Sequence, residues 1–341
     1  MRRTRSSFTR PSMRPMGWYE AVGRRLFFSL DPERSHRLAQ RLLGLPLPWG
    51  RIGGAVDDPA LRTSLAGITL RNPIGLAAGF DKTCAHLDAL GSLGFGYVVG
   101  GTVTRAPRRG NLHPRIARDP ARRALVNAMG MPNPGAEAVA RILARTARTA
   151  PRFVSIADEA LADAVGTAEL VEPFVDGIEI NASSPNAGWE HASSHTGELV
   201  RALRARTSKP LFVKIPPFTA GDDDRAQAVS IATAARDAGG SGIVCANTLP
   251  VADPRMSTGR GGLSGGPLTA GTPRMVAEIV DVIGPDLPVV ACGGIFTADD
   301  ARRCLDAGAV AIQVYTALIY EGPGLPGSLT RGLAASVRTM H

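Results

Sequence analysis

Short apolar runs alternate with longer amphipathic stretches along most of the chain. The intervening stretches, such as AQAVSIATAARDAGG and TADDARRCLDAGA, have helical spacing and end in glycine, as helices often do. Runs that are apolar throughout, rather than alternating, are typical of parallel strands covered by helices. The runs are IGLAAG (74–79), YVVGG (97–101), FVSI (153–156), GIEI (177–180), LFVKI (211–215), GIVCA (242–246), PVVACGG (288–294) and AIQVY (311–315).

The number of these units favours a closed barrel over an open sheet. Eight strand–helix units over about 270 residues match the α/β class and the (β/α)8 TIM barrel. The alternative is a doubly wound sheet, but no GxGxxG motif follows an early strand. We therefore predict a TIM barrel over residues 53–341 with a small N-terminal helical extension. Such a barrel carries its functional groups at the C-terminal ends of the strands.

The extension, residues 18–52, has the pattern of amphipathic helices. WYEAVGRRLFFSL carries apolar residues at helical spacing, and Asp31-Pro32-Glu33 is a typical start for a second helix, which we expect to end near Gly44. These arginine-rich helices either pack on a core or lie on an anionic membrane surface. Residues 64–70 predict a hairpin that turns at Ala66-Gly67.

Composition narrows the class of protein. The chain has 341 residues and a formal net charge of +9, but the basic residues are scattered and aromatic residues make up only 5%, so we expect no nucleic-acid interface. The arginine-rich residues 1–17 predict a disordered tail, with a transit-like or membrane-surface segment as the alternative. The four cysteines form no CxxC pair and are expected to be reduced thiols of a cytoplasmic protein.

Polar side chains and glycines follow every predicted strand. Amides at Asn127, Asn181, Asn186 and Asn247 offer donors and acceptors suited to a flat ring with alternating C=O and N–H groups. Lys82 falls after the first strand in a chain with few lysines. These residues predict a polar small-molecule site at the barrel mouth, meaning the end where the strands finish.

Two further features indicate a phosphate-bearing cofactor. Gly293-Gly294 and Tyr315-Thr316 follow the last two strands, where this barrel commonly binds phosphate, and GGLSGGP (261–267) is interpreted as another glycine-rich loop. Lys214, at the end of the fifth strand, either pairs with an acid such as Glu179 or stands as a cation beside the cofactor. The dispersed histidines predict no metal site.

Nine segments follow one another in an order typical of one enzyme family: NPIGLAAGFDK, LGFGYVVGGTVT, NAMG, EINASSPN, FVKI, ANT, GGLSGGPL, ACGGI and QVYTALIYEGP. As a set, they resemble the dihydroorotate dehydrogenase family, and the similarity runs from residue 18 to 325. LFFSLDPERSHRLAQ resembles the helical extension of the class 2, quinone-dependent group, and Ser184 stands where class 1 enzymes typically carry cysteine.

The resemblance implies an FMN enzyme of pyrimidine biosynthesis, bound peripherally at the cytoplasmic face of the cell membrane. It would oxidise (S)-dihydroorotate to orotate and pass the electrons to a quinone that enters between the N-terminal helices. Ser184, rather than Ser183, would be the catalytic base. The implied substrate ligands are Lys82, Asn127, Asn181, Asn186, Asn247 and Thr248. The implied FMN contacts are Ala78, Gly79, Lys82, Thr102, Ser155, Asn181, Lys214, Ala246, Gly265, Gly293, Gly294, Tyr315 and Thr316.

Several positions depart from the family pattern. Ser155-Ile156-Ala157-Asp158 replaces Asn-x-Gly-Lys after the third strand, and Ala246 replaces a threonine after the sixth. Met131-Pro132 replaces Phe-Asn, and residues 186–191 rewrite the loop expected to cover the substrate. Two alternatives therefore stay open: a diverged FMN oxidoreductase that acts on another cyclic amide in specialised metabolism, and a non-catalytic flavin- or membrane-binding relative.

Overall fold

The computed structural model describes residues 19–158, 160–182, 193–218 and 222–339. Eight parallel strands close into a barrel in which each strand pairs with its neighbours in chain order, so the predicted (β/α)8 TIM barrel is confirmed. All eight apolar runs form its strands. These are β1 (Ile74–Leu76), β2 (Tyr97–Val103), β3 (Arg152–Ile156), β4 (Gly177–Asn181), β5 (Leu211–Lys214), β6 (Gly242–Cys245), β7 (Val289–Cys292) and β8 (Ala309–Val314).

Helices precede the barrel and cover its outside. In the described part of the chain, a π-helical segment (Tyr19–Gly23), a 3-10 turn (Pro59–Leu61) and three α-helices come before the first barrel strand. The three α-helices are α1 (Arg24–Ser29), α2 (Pro32–Leu43) and α3 (Trp49–Ile52). The others follow the barrel strands and bury their apolar faces against them. They are α4 (Leu87–Ser92), α5 (Ala136–Leu143), α6 (Leu161–Val171), α7 (Ser193–Arg204), α8 (Asp222–Asp237), α9 (Thr272–Ile283), α10 (Ala298–Asp306), α11 (Thr316–Glu321) and α12 (Leu325–Thr339).

A hairpin and a layer of aromatic rings close the bottom of the barrel. The strands Thr63–Leu65 and Ile68–Leu70 pair antiparallel, which confirms the predicted hairpin. Ala66 and Gly67 both have positive φ, of 48° and 84°, as a two-residue turn of this hand requires. Inside the barrel, the rings of Tyr97 and Phe153 pack edge to face with centroids 5.6 Å apart.

An accessory sheet of four antiparallel strands covers part of the mouth. Its strands run in the order Leu249–Ala252, Arg260–Gly265, Ala124–Asn127 and Ile116–Asp119. The interpretation of residues 261–267 as a glycine-rich loop was therefore wrong for most of that segment. A Cβ at Gly262 would come within 2.0 Å of the Thr248 hydroxyl, so glycine lets this strand pack closely against the residue that precedes the strand Leu249–Ala252.

The N-terminal helices dock on this accessory sheet. The Asp31 carboxylate accepts from the backbone N–H of Glu33 at 3.0 Å and so caps α2, which ends before Gly44 as expected. Glu33 is buried, and Arg115 donates to it through Nε at 2.6 Å. The guanidinium of Arg118 lies 4.6 Å from the centre of the Phe28 ring. These contacts fix both helices beside the barrel mouth.

Candidate active site

One continuous cavity of about 1240 Å³ joins the N-terminal helices to the barrel mouth. Its outer part is apolar and is lined by Phe27, Leu42 and Trp49 from the helical extension. Its inner part is polar and reaches Asn127 and Lys214 at the strand ends. A single space therefore connects a polar chamber with an apolar passage between α1 and α2.

Hydroxyls and amides from four strand ends form a chain of hydrogen bonds across the polar chamber. The hydroxyls of Thr102 and Ser155 are 3.1 Å apart, and Asn181 Nδ2 donates to Thr102 Oγ1 at 3.3 Å. Asn247 Nδ2 in turn donates to Asn181 Oδ1 at 3.3 Å. Since each group orients the next, the chamber presents a fixed pattern of donors and acceptors.

Lys82 brings a cation to the same chamber. Its Nζ donates to the carbonyl oxygen of Gly79, in the turn that follows β1. Burial and the nearby Arg115 lower the pKa of Lys82 to about 8, against the opposing effects of Asp81 and Glu33. The lysine is therefore charged at neutral pH but titrates just above it, which suits it to binding an anion reversibly.

Lys214 lies at the floor of the chamber within a buried cluster. Its Nζ donates to Gln313 Oε1 at 3.1 Å and lies 3.6 Å from Glu179 Oε1. Gln313 Nε2 donates to the other oxygen of Glu179 at 2.8 Å. Of the two alternatives that the sequence gave for Lys214, the ion pair with Glu179 is therefore present. Lys214 also lines the cavity, as the other alternative requires.

Glycines and hydroxyls shape the far end of the chamber. Gly294 has a φ of +67°, and a Cβ there would lie 2.3 Å from the backbone nitrogen of Thr269. Thr269 Oγ1 donates to the Gly294 carbonyl at 2.6 Å, and Thr316 Oγ1 donates to Ser264 Oγ at 2.8 Å. Because a glycine turn has no side chains in the way, its backbone N–H groups can approach an anion closely. With hydroxyls beside it, such a turn is well suited to binding a phosphate group.

Comparison with known proteins identifies the family. The family model described as dihydroorotate dehydrogenase matches residues 60–337. The chain belongs to the dihydroorotate dehydrogenase family. A relative from Anaeromyxobacter sp. (strain Fw109-5), named dihydroorotate dehydrogenase (quinone), is 39% identical over 333 residues, which cover 90% of this chain and 90% of the relative. A relative of the same name from Rhodospirillum rubrum is 39% identical in an alignment that covers 94% of this chain and 91% of the relative.

A solved structure of the family has the same architecture. The crystal structure of dihydroorotate dehydrogenase from Eimeria tenella in complex with ferulenol superposes with a TM-score of 0.79 at 29% sequence identity. The superposition covers 92% of this chain and 95% of that chain. The likeness therefore extends over most of both chains.

Every predicted site residue that the structure describes lines the cavity. Ser184 and Asn186 lie outside the described residues, so their positions stay predictions. The roles assigned to the others also stay predictions. The lining residues from the predicted set are Ala78, Gly79, Lys82, Thr102, Asn127, Ser155, Asn181, Lys214, Ala246, Asn247, Thr248, Gly265, Gly293, Gly294, Tyr315 and Thr316.

Asp158 carries a negative charge where the family pattern has a lysine, but its side chain does not line the cavity. Its carboxylate accepts from the backbone N–H of Arg105 at 3.0 Å and from the Thr167 hydroxyl at 2.9 Å. Asp158 therefore ties the loop after β3 to the loop after β2 and to α6. This departure from the family pattern has a structural explanation, and Asp158 is not part of the cavity wall.

Sequence reasoning assigned no site role to several residues of the cavity wall, among them Ser264, His36, Met131 and Gln313. Ser264 was not identified because it lies in a segment interpreted as a loop, although a hydroxyl side chain between glycines could have indicated a ligand-binding residue. His36 gave no signal beyond the amphipathic pattern of α2, and burial, with lesser effects of Lys82 and Arg37, lowers its pKa to about 3, which keeps it neutral. Met131 lines the cavity with a φ of 53°, a conformation that no sequence rule assigns to methionine.

Proposed function

We propose that this chain is a quinone-dependent dihydroorotate dehydrogenase that oxidises (S)-dihydroorotate to orotate in pyrimidine biosynthesis, with one non-covalently bound FMN. The observation that carries this proposal is the single cavity that joins a polar chamber to an apolar passage. A polar cyclic-amide substrate and a long apolar electron acceptor need such different surroundings around one shared cofactor.

The residues of the chamber fit FMN. The turn at Gly293 and Gly294, with the hydroxyls of Ser264 and Thr316, would hold the phosphate. Lys214 and the turn at Gly79 would contact the ring system. When bound, FMN would accept a hydride from the substrate and pass the electrons to the quinone.

The substrate would be held by amides and a cation. Asn127, Asn181 and Asn247 would match the ring's C=O and N–H groups, and Lys82 would bind its carboxylate. Ser184 would remove the proton from the carbon beside a ring carbonyl. Because serine is a weak base at its ordinary pKa, this step needs a closed site and a path for the proton.

The quinone would reach the cofactor through the apolar passage. His36 packs edge to face on Phe80 with centroids 5.6 Å apart, and Phe80 packs on Tyr315 at 5.8 Å. This row of rings runs from α2 to the chamber, and His36 stays uncharged along it.

The outer helices support docking at a membrane surface. Val22 is 68% exposed and Leu26 is 57% exposed, both at the start of the extension beside arginines. Among the described residues, no helix combines the length and apolarity that crossing a bilayer requires. We therefore propose that residues 18–52 attach the enzyme peripherally to the cytoplasmic face of the cell membrane and admit the quinone there.

Complementation tests the proposed function. A bacterial strain that lacks dihydroorotate oxidation should grow without added pyrimidine when it expresses this chain, and should not grow with Ser184→Ala. Lys209→Met is a matched control, since Lys209 donates to backbone carbonyls of residues 172 and 175, outside the cavity. Failure of the flavin-loaded wild type to restore growth would contradict dihydroorotate as the substrate.

A further inference from the structure

Glu179 is a buried carboxylate to which the proposed function gives no role. It lies on β4 and is 1% exposed. Its Oε2 accepts from Gln313, but its Oε1 has no hydrogen-bond donor among the described residues and lies 3.6 Å from Lys214 Nζ. A buried carboxylate with an unsatisfied oxygen is costly to stability. Its presence therefore needs an explanation beyond packing.

Glu179, Gln313 and Lys214 form a closed cluster at the floor of the cavity. The Gln313 amide presents its oxygen to Lys214 at 3.1 Å and its nitrogen to Glu179 at 2.8 Å. All three residues line the cavity. The two charges fix the orientation of the amide, and the amide in turn holds the ammonium group in place.

The charge of Lys214 depends on this cluster. Burial alone lowers the pKa of Lys214, but Cys292 and Glu179 outweigh burial and raise it above its ordinary value. Tyr97 and Cys292 are titratable groups beside the cluster, and burial raises the pKa of both, so they are neutral at physiological pH. The effect of Cys292 on the pKa of Lys214 requires the thiolate. At physiological pH, Glu179 is therefore the partner, among the described residues at the cluster, that favours the charged lysine.

We propose that Glu179 is a positioning residue that keeps Lys214 charged and directed at the flavin, and thereby sets how readily the flavin is reduced. This inference rests on the proposed FMN site. An ammonium group beside the flavin stabilises the negative charge that develops on reduction. With Glu179 present that charge is constant over the physiological pH range, and without it the charge would depend on pH.

The first test uses the protein without flavin. Glu179→Gln should unfold at a lower temperature than the wild type, and the deficit should be larger at pH 7 than at pH 9.5. The sign follows from proton binding: burial would hold the pKa of Lys214 in the variant below its unfolded value, so the unfolded chain binds more protons and stability rises with pH. The double variant Glu179→Gln/Lys214→Gln should recover part of the loss, because it leaves no unpaired buried charge.

A matched control separates this effect from the loss of any buried carboxylate. Asp158→Asn removes a buried carboxylate that has no contact with Lys214, and its deficit should be equal at the two pH values. A deficit of Glu179→Gln that is also equal at pH 7 and pH 9.5, or a double variant less stable than the single one, would overturn the charge coupling between Glu179 and Lys214.

The second test measures the midpoint potential of bound FMN between pH 6 and pH 9. We expect Glu179→Gln to show an additional inflection in this range, where Lys214 loses its proton. Above the inflection the reduced flavin should be disfavoured by about tenfold or more relative to the wild type, which is about 30 mV for two electrons. Asp158→Asn should follow the wild-type curve.

The two possible failures are distinguishable. A flavin-loaded Glu179→Gln with the wild-type potential at every pH overturns the role given to Glu179 and leaves the proposed function intact. A wild-type protein that takes up no FMN overturns the proposed function itself, and the first test still decides whether Glu179 keeps Lys214 charged.

Discussion

Raising the pH through about 8 should weaken the binding of orotate, because Lys82 loses its charge there. The pKa of Lys82 is lowered to about 8, chiefly by burial, so the free protein carries an ammonium at pH 6.5 and largely a neutral amine at pH 9. The carboxylate of orotate binds the ammonium more strongly than the amine. Binding therefore requires a proton to be taken up above pH 8, and the affinity should fall by up to tenfold per pH unit.

The size of the effect follows from the interaction that is lost. A hydrogen bond to a charged group contributes about 1.5–3 kcal/mol, so full loss of the ammonium should weaken orotate binding by roughly 10- to 100-fold. Lys82→Met should show this weaker affinity already at pH 6.5 and should change little up to pH 9. Orotate binding is measured by titrating the flavin-loaded protein and following the flavin absorbance.

Lys209→Met serves as the control for this titration, since Lys209 lies outside the cavity and pairs with backbone carbonyls. It should reproduce the wild-type affinity at each pH. Equal affinities of the wild type for orotate at pH 6.5 and pH 9 would refute the reasoning. So would a Lys82→Met variant that retains the wild-type pH dependence, because another group would then be responsible.

Three further outcomes are expected. Ser184→Ala should slow anaerobic flavin reduction by dihydroorotate by about 10²-fold or more, whereas Ser183→Ala should change the rate little; equal effects in stopped flow would contradict the assignment of the base. Deletion of residues 1–52 should spare flavin reduction by substrate and abolish the reduction of a long-tailed quinone, and normal quinone turnover would leave the helices only a packing role. Gly294→Ala should purify with little FMN, because a Cβ there would lie 2.3 Å from the Thr269 nitrogen, and full flavin content would contradict the phosphate site.

The barrel could be predicted because its strands are short, apolar and bounded by glycine or polar residues. The hairpin at Ala66-Gly67 and the start of α2 at Asp31 could also be predicted, since local backbone chemistry determines both. The accessory strand Arg260–Gly265 could not, because its glycines carry no alternating pattern and serve close contacts with other segments, such as that of Gly262 with Thr248. Local sequence patterns did not predict these contacts between segments that are far apart in the chain.

In the candidate site, too, some features could be predicted from local sequence and others depend on contacts between distant segments. Lys82 and Asn181 could be located from their places after predicted strands. The connection of Asp158 to Arg105 and Thr167 could not be foreseen, since it joins loops that meet only in the folded barrel. The passage past His36 depends on how α2 packs beside the mouth, which the helical pattern alone does not determine.

Anaerobic mixing of the purified, FMN-loaded protein with (S)-dihydroorotate tests the central claim most directly. Dihydroorotate should bleach the flavin absorbance within the mixing experiment, one equivalent of orotate should form, and a quinone added afterwards should restore the oxidised spectrum. A flavin that chemical reductants bleach but dihydroorotate does not would contradict the claim that this chain is a dihydroorotate dehydrogenase.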